Sequence, residues 1–62
     1  MPDRKEIMSR VYDFCGKEEN AKYCDDIEYL VAKLEDTEEE EERQKILISL
    51  EKELNFLESN LK

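Results

Sequence analysis

The sequence predicts an all-α protein, either an antiparallel helical hairpin or a three-helix unit, with residues 1–62 forming a single domain. Charged residues make up 45% of the chain and aromatic residues 8%, with one glycine and one proline, a composition typical of exposed helices. Apolar residues recur at three-to-four spacing along three segments, which argues against the disorder that so much charge would otherwise indicate. So short a chain buries only about 60% of its surface, so helix packing or self-association is expected to stabilise it.

Helix 1 is predicted over residues 4–15. Asp3 followed three residues later by Glu6 forms a capping-box pattern, in which short carboxylates satisfy the first backbone donors of a helix. Gly16 stands where a helix commonly ends in a left-handed turn. One apolar stripe connects these two ends and consists of Ile7, Met8, Val11, Phe14 and Cys15.

Helix 2 is predicted over residues 18–35. Its apolar face is broad enough to contact two neighbouring elements, since it comprises Tyr23, Cys24, Ile27, Leu30, Val31 and Leu34. Cys15 and Cys24 flank the turn between helices 1 and 2 and could approach one another. The pattern favours free, buried cysteines acting as small apolar residues, with a disulfide or a redox pair as the alternative.

A break at Asp36-Thr37 separates helix 2 from helix 3, which is predicted over residues 38–61. Thr37 with Glu40 repeats the capping pattern. The apolar seam of helix 2, projected forward, falls on glutamate and lysine rather than on the downstream leucines, so one straight helix cannot keep both seams on one partner. A single long helix from 18 to 61 with a phase shift is the alternative, because the break has neither glycine nor proline.

A leucine seam is the most regular pattern of the sequence. Its members follow alternating three- and four-residue spacing over little more than two heptads, which favours a packed helix of a hairpin over an autonomous zipper. The seam is also the expected contact of a homodimeric helical bundle or of a partner protein. It comprises Leu47, Leu50, Leu54, Leu57 and Leu61.

Two further surfaces are candidates for binding a partner. Ile48 and Phe56 project away from the leucine seam and would be exposed to water in a lone hairpin, as residues of an intermolecular surface often are. Negative charge is concentrated between residues 18 and 42, which hold twelve acids and two bases, whereas the flanking segments each carry a charge of +1. The second surface is a glutamate tip, comprising Glu38, Glu39, Glu40, Glu41 and Glu42.

Catalysis, cofactors and specific metal binding are not expected. The chain has no histidine and only one glycine, so it lacks a phosphate-binding loop and the usual base for nucleophilic catalysis. Two cysteines without histidine do not make a structural zinc site, and the glutamate tip lacks the glycine and spacing of a calcium loop.

Binding to another protein is therefore the expected function, as an adaptor, chaperone or inhibitor. A charge of −8 repels nucleic acid and anionic lipid, so the expected partners are another protein, with basic proteins among the candidates, and a second copy of the chain. The alternative is a nucleic-acid mimic that inhibits a basic nucleic-acid-binding protein. The chain shows neither a signal peptide nor a run of apolar residues long enough to cross a membrane, and two isolated cysteines suit a reducing cytoplasm.

Overall fold

The computed structural model describes residues 3–60 and confirms an all-helical protein. These residues form three α-helices, α1 (Arg4–Cys15), α2 (Asp25–Asp36) and α3 (Glu40–Asn60), and a 3₁₀ segment (Glu18–Tyr23) lies between α1 and α2. The described part of the chain contains no strand. It measures 34 × 20 × 16 Å along its principal axes.

Helix α1 begins and ends at the predicted residues. Asp3 is its N-cap, and the Asp3 side chain accepts a hydrogen bond of 3.0 Å from the backbone N–H of Lys5. Gly16 follows the helix with φ −73° and ψ −14°, so the predicted left-handed turn is wrong. Glycine is required there for another reason: a Cβ atom at Gly16 would lie 2.5 Å from the carbonyl oxygen of Tyr12.

The prediction of one continuous helix over residues 18–35 is wrong. The 3₁₀ segment ends at Tyr23, Cys24 departs from helical geometry with φ −101° and ψ 7°, and α2 begins at Asp25. Acidic residues fill the first turn of α2, where carboxylates interact favourably with the positive end of the helix dipole. These carboxylates therefore stabilise the start of a new helix at Asp25 rather than the continuation of an earlier one.

The cysteines are bonded to each other, which corrects the prediction that they are free. A disulfide joins Cys15 to Cys24, with their Cα atoms 6.1 Å apart, within the range that a disulfide spans. The side-chain amide of Asn20 donates to the carbonyl of Phe14 at 3.1 Å and holds the 3₁₀ segment against the end of α1. Free thiols had supported the prediction of a reducing cytoplasm, and the disulfide removes that support. The cytoplasmic location stays a prediction.

The predicted break between α2 and α3 is confirmed, and the alternative of one helix from 18 to 61 is wrong. Thr37 is extended, at φ −93° and ψ 126°, and α3 starts at Glu40 rather than at residue 38. The prediction that Thr37 caps α3 is wrong. Its hydroxyl instead donates to the carbonyl of Lys33 at 2.7 Å, satisfying a backbone acceptor in the last turn of α2.

The core lies where α1 and α2 pack on α3. A polar contact at its edge also joins α1 to α3, because the Arg10 guanidinium donates to the Asn55 side chain at 2.7 Å and to the Glu58 carboxylate at 2.6 Å. Both charged groups are partly exposed, so this pair contributes at most about 1 kcal/mol. The buried residues are Ile7, Val11, Phe14, Cys24, Ile27, Leu34, Ile46, Leu47, Leu50, Leu54 and Leu57.

Candidate protein-binding surfaces

An open groove runs between α1 and α2. Both helices pack on α3, and the space left between them has a volume of about 380 Å³. The α1 wall of this α1–α2 groove is formed by Met8, Val11, Tyr12 and Cys15, with Gly16 at its end. The α2 wall is formed by Glu28, Val31, Ala32 and Glu35.

The two walls of the α1–α2 groove share one spacing. On each helix the lining residues fall at positions i, i+3, i+4 and i+7, which places them along one side of the helix over about two turns. The disulfide contributes to this geometry, because it ties Cys15, in the α1 wall, to Cys24, immediately before α2. The walls are therefore held side by side by a covalent bond and by their common support on α3.

The chemistry of the α1–α2 groove is apolar at its centre and acidic at its rim. Val31 and Met8 are half-buried against the core, whereas Glu28 and Glu35 are exposed. None of the residues lining the groove is basic. Tyr12 is 68% exposed, and it adds to the rim a ring that can bury area while its hydroxyl stays hydrogen-bonded. This combination fits an apolar partner surface with positive charge at its edges.

The glutamate tip is divided between two structural settings. Glu38 and Glu39 lie in the connection between α2 and α3, and the other three glutamates form the first turn of α3. All five are exposed. Successive residues of a helical turn point about 100° apart, so the three glutamates of α3 do not lie on one side of the helix. The nucleic-acid mimic stays a prediction, and the tip can attract a basic partner only in a general way.

Ile48 and Phe56 are exposed on the outer side of α3, as expected for a lone chain, with exposed fractions of 41% and 61%. They lie eight positions apart, about 12 Å along the helix axis. Lys52 lies midway between them in the sequence and is also exposed. The outer side of α3 thus carries two exposed apolar side chains and an exposed lysine, in contrast to the acidic rim of the α1–α2 groove.

The leucine seam faces the interior of the chain. Its four described members are buried against α1 and α2, with Leu50 and Leu54 at 0% exposure, and Leu61 lies outside the described residues. A partner could reach these leucines only after α1 and α2 had separated from α3. Dimerisation through the seam stays a prediction, whereas the packed-hairpin interpretation agrees with the observed burial.

Sequence reasoning missed the α1–α2 groove, although part of its signal was visible. The broad apolar face of helix 2 indicated contact with two neighbours, and Val31 belongs to that face. In the structure α2 packs mainly on α3, and Val31, half-buried against the core, also lines the groove. The relative placement of α1 and α2 on α3 decides this, and no periodicity within one helix encodes it.

Comparison of the chain with protein-family models, with curated proteins and with solved structures gave no match. Among residues 3–60, no helix has the length and apolar character needed to span a membrane. The same residues contain no group of three or more His, Cys, Asp or Glu side chains placed to hold a metal ion. The surfaces described above are therefore the basis for any functional assignment.

Proposed function

We propose that this chain is a small acidic helical protein–protein interaction module that acts by binding rather than by catalysis, as an adaptor, chaperone or inhibitor does. One observation supports the proposal more than the others do. The α1–α2 groove leaves apolar side chains accessible, although only 39% of the residues of the chain are hydrophobic. Concave apolar surfaces with a polar rim are the usual form of a binding site. The groove is the proposed binding site.

Two matched substitutions test the use of the groove. Ala32 is a small, exposed residue of the α2 wall, and Ala32→Arg would fill the groove with a bulky side chain without touching the core. Ser49 is a small, exposed residue of α3 that does not line the groove, so Ser49→Arg makes the same change in charge and size elsewhere. Both variants should keep the far-ultraviolet circular dichroism spectrum of the original chain.

Quantitative affinity capture from an extract of the native host, with the original chain and both variants as baits, provides the readout. We expect at least one protein to be retained by the original chain and by Ser49→Arg, and to be depleted about tenfold or more with Ala32→Arg, the effect of losing about 1.4 kcal/mol of binding free energy. If all three baits retain the same proteins in equal amounts, the groove is not the binding site.

Homodimerisation is a second proposal, and it rests on the outer side of α3. Because the leucine seam is covered within the chain, the dimer of folded protomers is proposed to form through Ile48 and Phe56, two exposed apolar residues on one side of a helix. Equilibrium sedimentation at high micromolar concentration should then give a dimer for the original chain and a monomer for Phe56→Glu. A monomeric original chain would remove this proposal. A substitution in the leucine seam, such as Leu54→Glu, would not test this proposal, because it puts a charge in the core and would unfold the chain.

A further inference from the structure

We infer that the α1–α2 groove binds a basic amphipathic helix of a partner protein, which packs opposite α3 and completes a four-helix bundle. The inference rests on the proposed binding function and names the class of partner. α1 and α2 already flank α3, and the groove between them is the position that a fourth helix would occupy in such a bundle.

The shape of the α1–α2 groove favours a helix as its occupant. The lining residues Met8 to Cys15 and Glu28 to Glu35 each extend over about two helical turns, or about 10 Å along the axis. A helix laid between them would present its own apolar residues at i, i+3, i+4 and i+7, the spacing by which amphipathic helices fill hydrophobic grooves. Its apolar stripe would then cover Val31 and Met8, which α3 leaves half-buried.

The rim of the groove selects the charge of that helix. Glu28 and Glu35 lie seven positions apart on α2, so they stand on nearly the same side of the helix, about 10 Å apart. Lysine or arginine residues at the same spacing on the partner helix would meet both carboxylates. Complementary charge at the rim of an interface mainly accelerates association and excludes partners of the wrong sign.

The same charge disfavours a second copy of this chain as the occupant. Each copy has a net charge of −8, and a second copy would bring more negative charge to a groove whose charged lining residues, Glu28 and Glu35, are both acidic. Acidic helices and nucleic acid are disfavoured for the same reason. The proposed occupant is therefore a helix of a separate protein that carries positive charge.

A synthetic peptide provides a direct test. The probe is a capped, fluorescein-labelled peptide of about 18 residues with leucines on one helical face and lysines on both sides of that face. A matched peptide carries glutamate in place of every lysine. Fluorescence anisotropy against the intact, oxidised protein should give saturable binding of the lysine peptide in the micromolar range, and binding of the glutamate peptide about tenfold weaker or absent.

Three variants separate groove binding from general attraction to an acidic protein. Glu28→Lys with Glu35→Lys should weaken the lysine peptide about tenfold and strengthen the glutamate peptide, because the rim changes sign. Glu39→Lys with Glu41→Lys makes the same change of net charge at the glutamate tip, outside the groove, and should leave the affinity within about twofold. Ala32→Arg should weaken the lysine peptide by about tenfold.

Each contrary outcome has a definite meaning. Equal weakening by the tip variant and the rim variant would overturn the inference, since the attraction would then be non-specific. So would failure of the lysine peptide to bind, or self-association of the chain that Ala32→Arg abolishes, which would make a second copy the occupant. If the peptide fails but capture of a cellular partner still depends on Ala32, the class of partner is wrong and the proposed function stands. If both fail, the proposed function fails as well.

Discussion

The two connections of the chain are built in different ways. Between α1 and α2 the chain is cross-linked by the Cys15–Cys24 disulfide and held by the Asn20 amide, and the 3₁₀ segment fills most of its length. Between α2 and α3 only residues 37–39 intervene, and two of them are exposed glutamates. The first connection is closed by covalent and hydrogen bonds, and the second depends on the packing of the helices it joins.

This difference assigns the connections different roles. The first connection sets the spacing of α1 and α2, and since Cys15 is part of the α1 wall, it also sets the width of the α1–α2 groove. The second connection turns the chain so that α2 can pack on α3, and it leaves the glutamate tip in solvent. Changes to the first connection should therefore affect stability strongly, whereas changes to the second should affect it weakly.

Loss of the disulfide is expected to have the largest effect. The bridge joins residues nine positions apart, and closing a loop of this size removes about 3 kcal/mol of unfolded-state entropy in the chain-entropy model. Cys15→Ala with Cys24→Ala should lower the free energy of unfolding by about that amount, as measured by urea denaturation followed by circular dichroism. The reductant dithiothreitol should destabilise the original chain and leave the double variant unchanged. Detection of two free thiols with a thiol-specific reagent in the native, unreduced protein would contradict the disulfide.

Gly16→Ala is expected to have the second-largest effect. The added methyl group would meet the Tyr12 carbonyl oxygen at 2.5 Å, so the end of α1 must shift. Crowding of this kind costs about 1–3 kcal/mol, and thermal denaturation should report it as a lower Tm. Lys17→Ala, at the next and exposed position, is the control, with a change within about 0.5 kcal/mol. Equal Tm values for the two variants would show that a side chain at position 16 can be accommodated beside the Tyr12 carbonyl.

Thr37→Val tests the one side-chain bond described at the second connection. The substitution keeps the shape of the side chain but removes the hydroxyl that donates to the Lys33 carbonyl. This bond is exposed, so water can replace it, and the loss should be about 0.5 kcal/mol in urea denaturation. Thr37→Ser keeps the hydroxyl and should remain within error of the original chain. If Thr37→Val lowered the free energy of unfolding as much as loss of the disulfide does, the two connections would contribute equally to stability.

Glu38→Gln with Glu39→Gln is expected to have the smallest effect. Both side chains are exposed and precede the first turn of α3, where three more glutamates repel them. Neutralising the pair should change the free energy of unfolding by no more than about 0.5 kcal/mol, because repulsion among the glutamates and their attraction to the positive end of the α3 dipole oppose each other. Raising the ionic strength should abolish the difference, because salt screens exposed charges. A large destabilisation that persists in high salt would give these residues a structural role.

The two connections also differ in how far the sequence predicts them. The break at Asp36-Thr37 could be predicted because two apolar seams fall out of phase there, a signal that depends only on helical periodicity. The interruption at Cys24 could not, because the apolar face of the predicted helix 2 continues across it. A disulfide at that point depends on where Cys15 lies in space.

What the sequence determined by itself is local. Periodicity and capping defined α1 from residue 4 to residue 15, and periodicity alone separated α2 from α3 and identified the apolar side of α3 and the exposure of Ile48 and Phe56. These properties follow from residues within a few positions of each other.

What only the tertiary structure decided is how the apolar faces are shared. The packing of α1 and α2 on α3 buries the leucine seam inside the chain, brings Cys15 to Cys24, and leaves Val31 and Met8 beside an open groove. The physical reason is that burial depends on the distance between helices, whereas the sequence pattern specifies only which side of each helix is apolar.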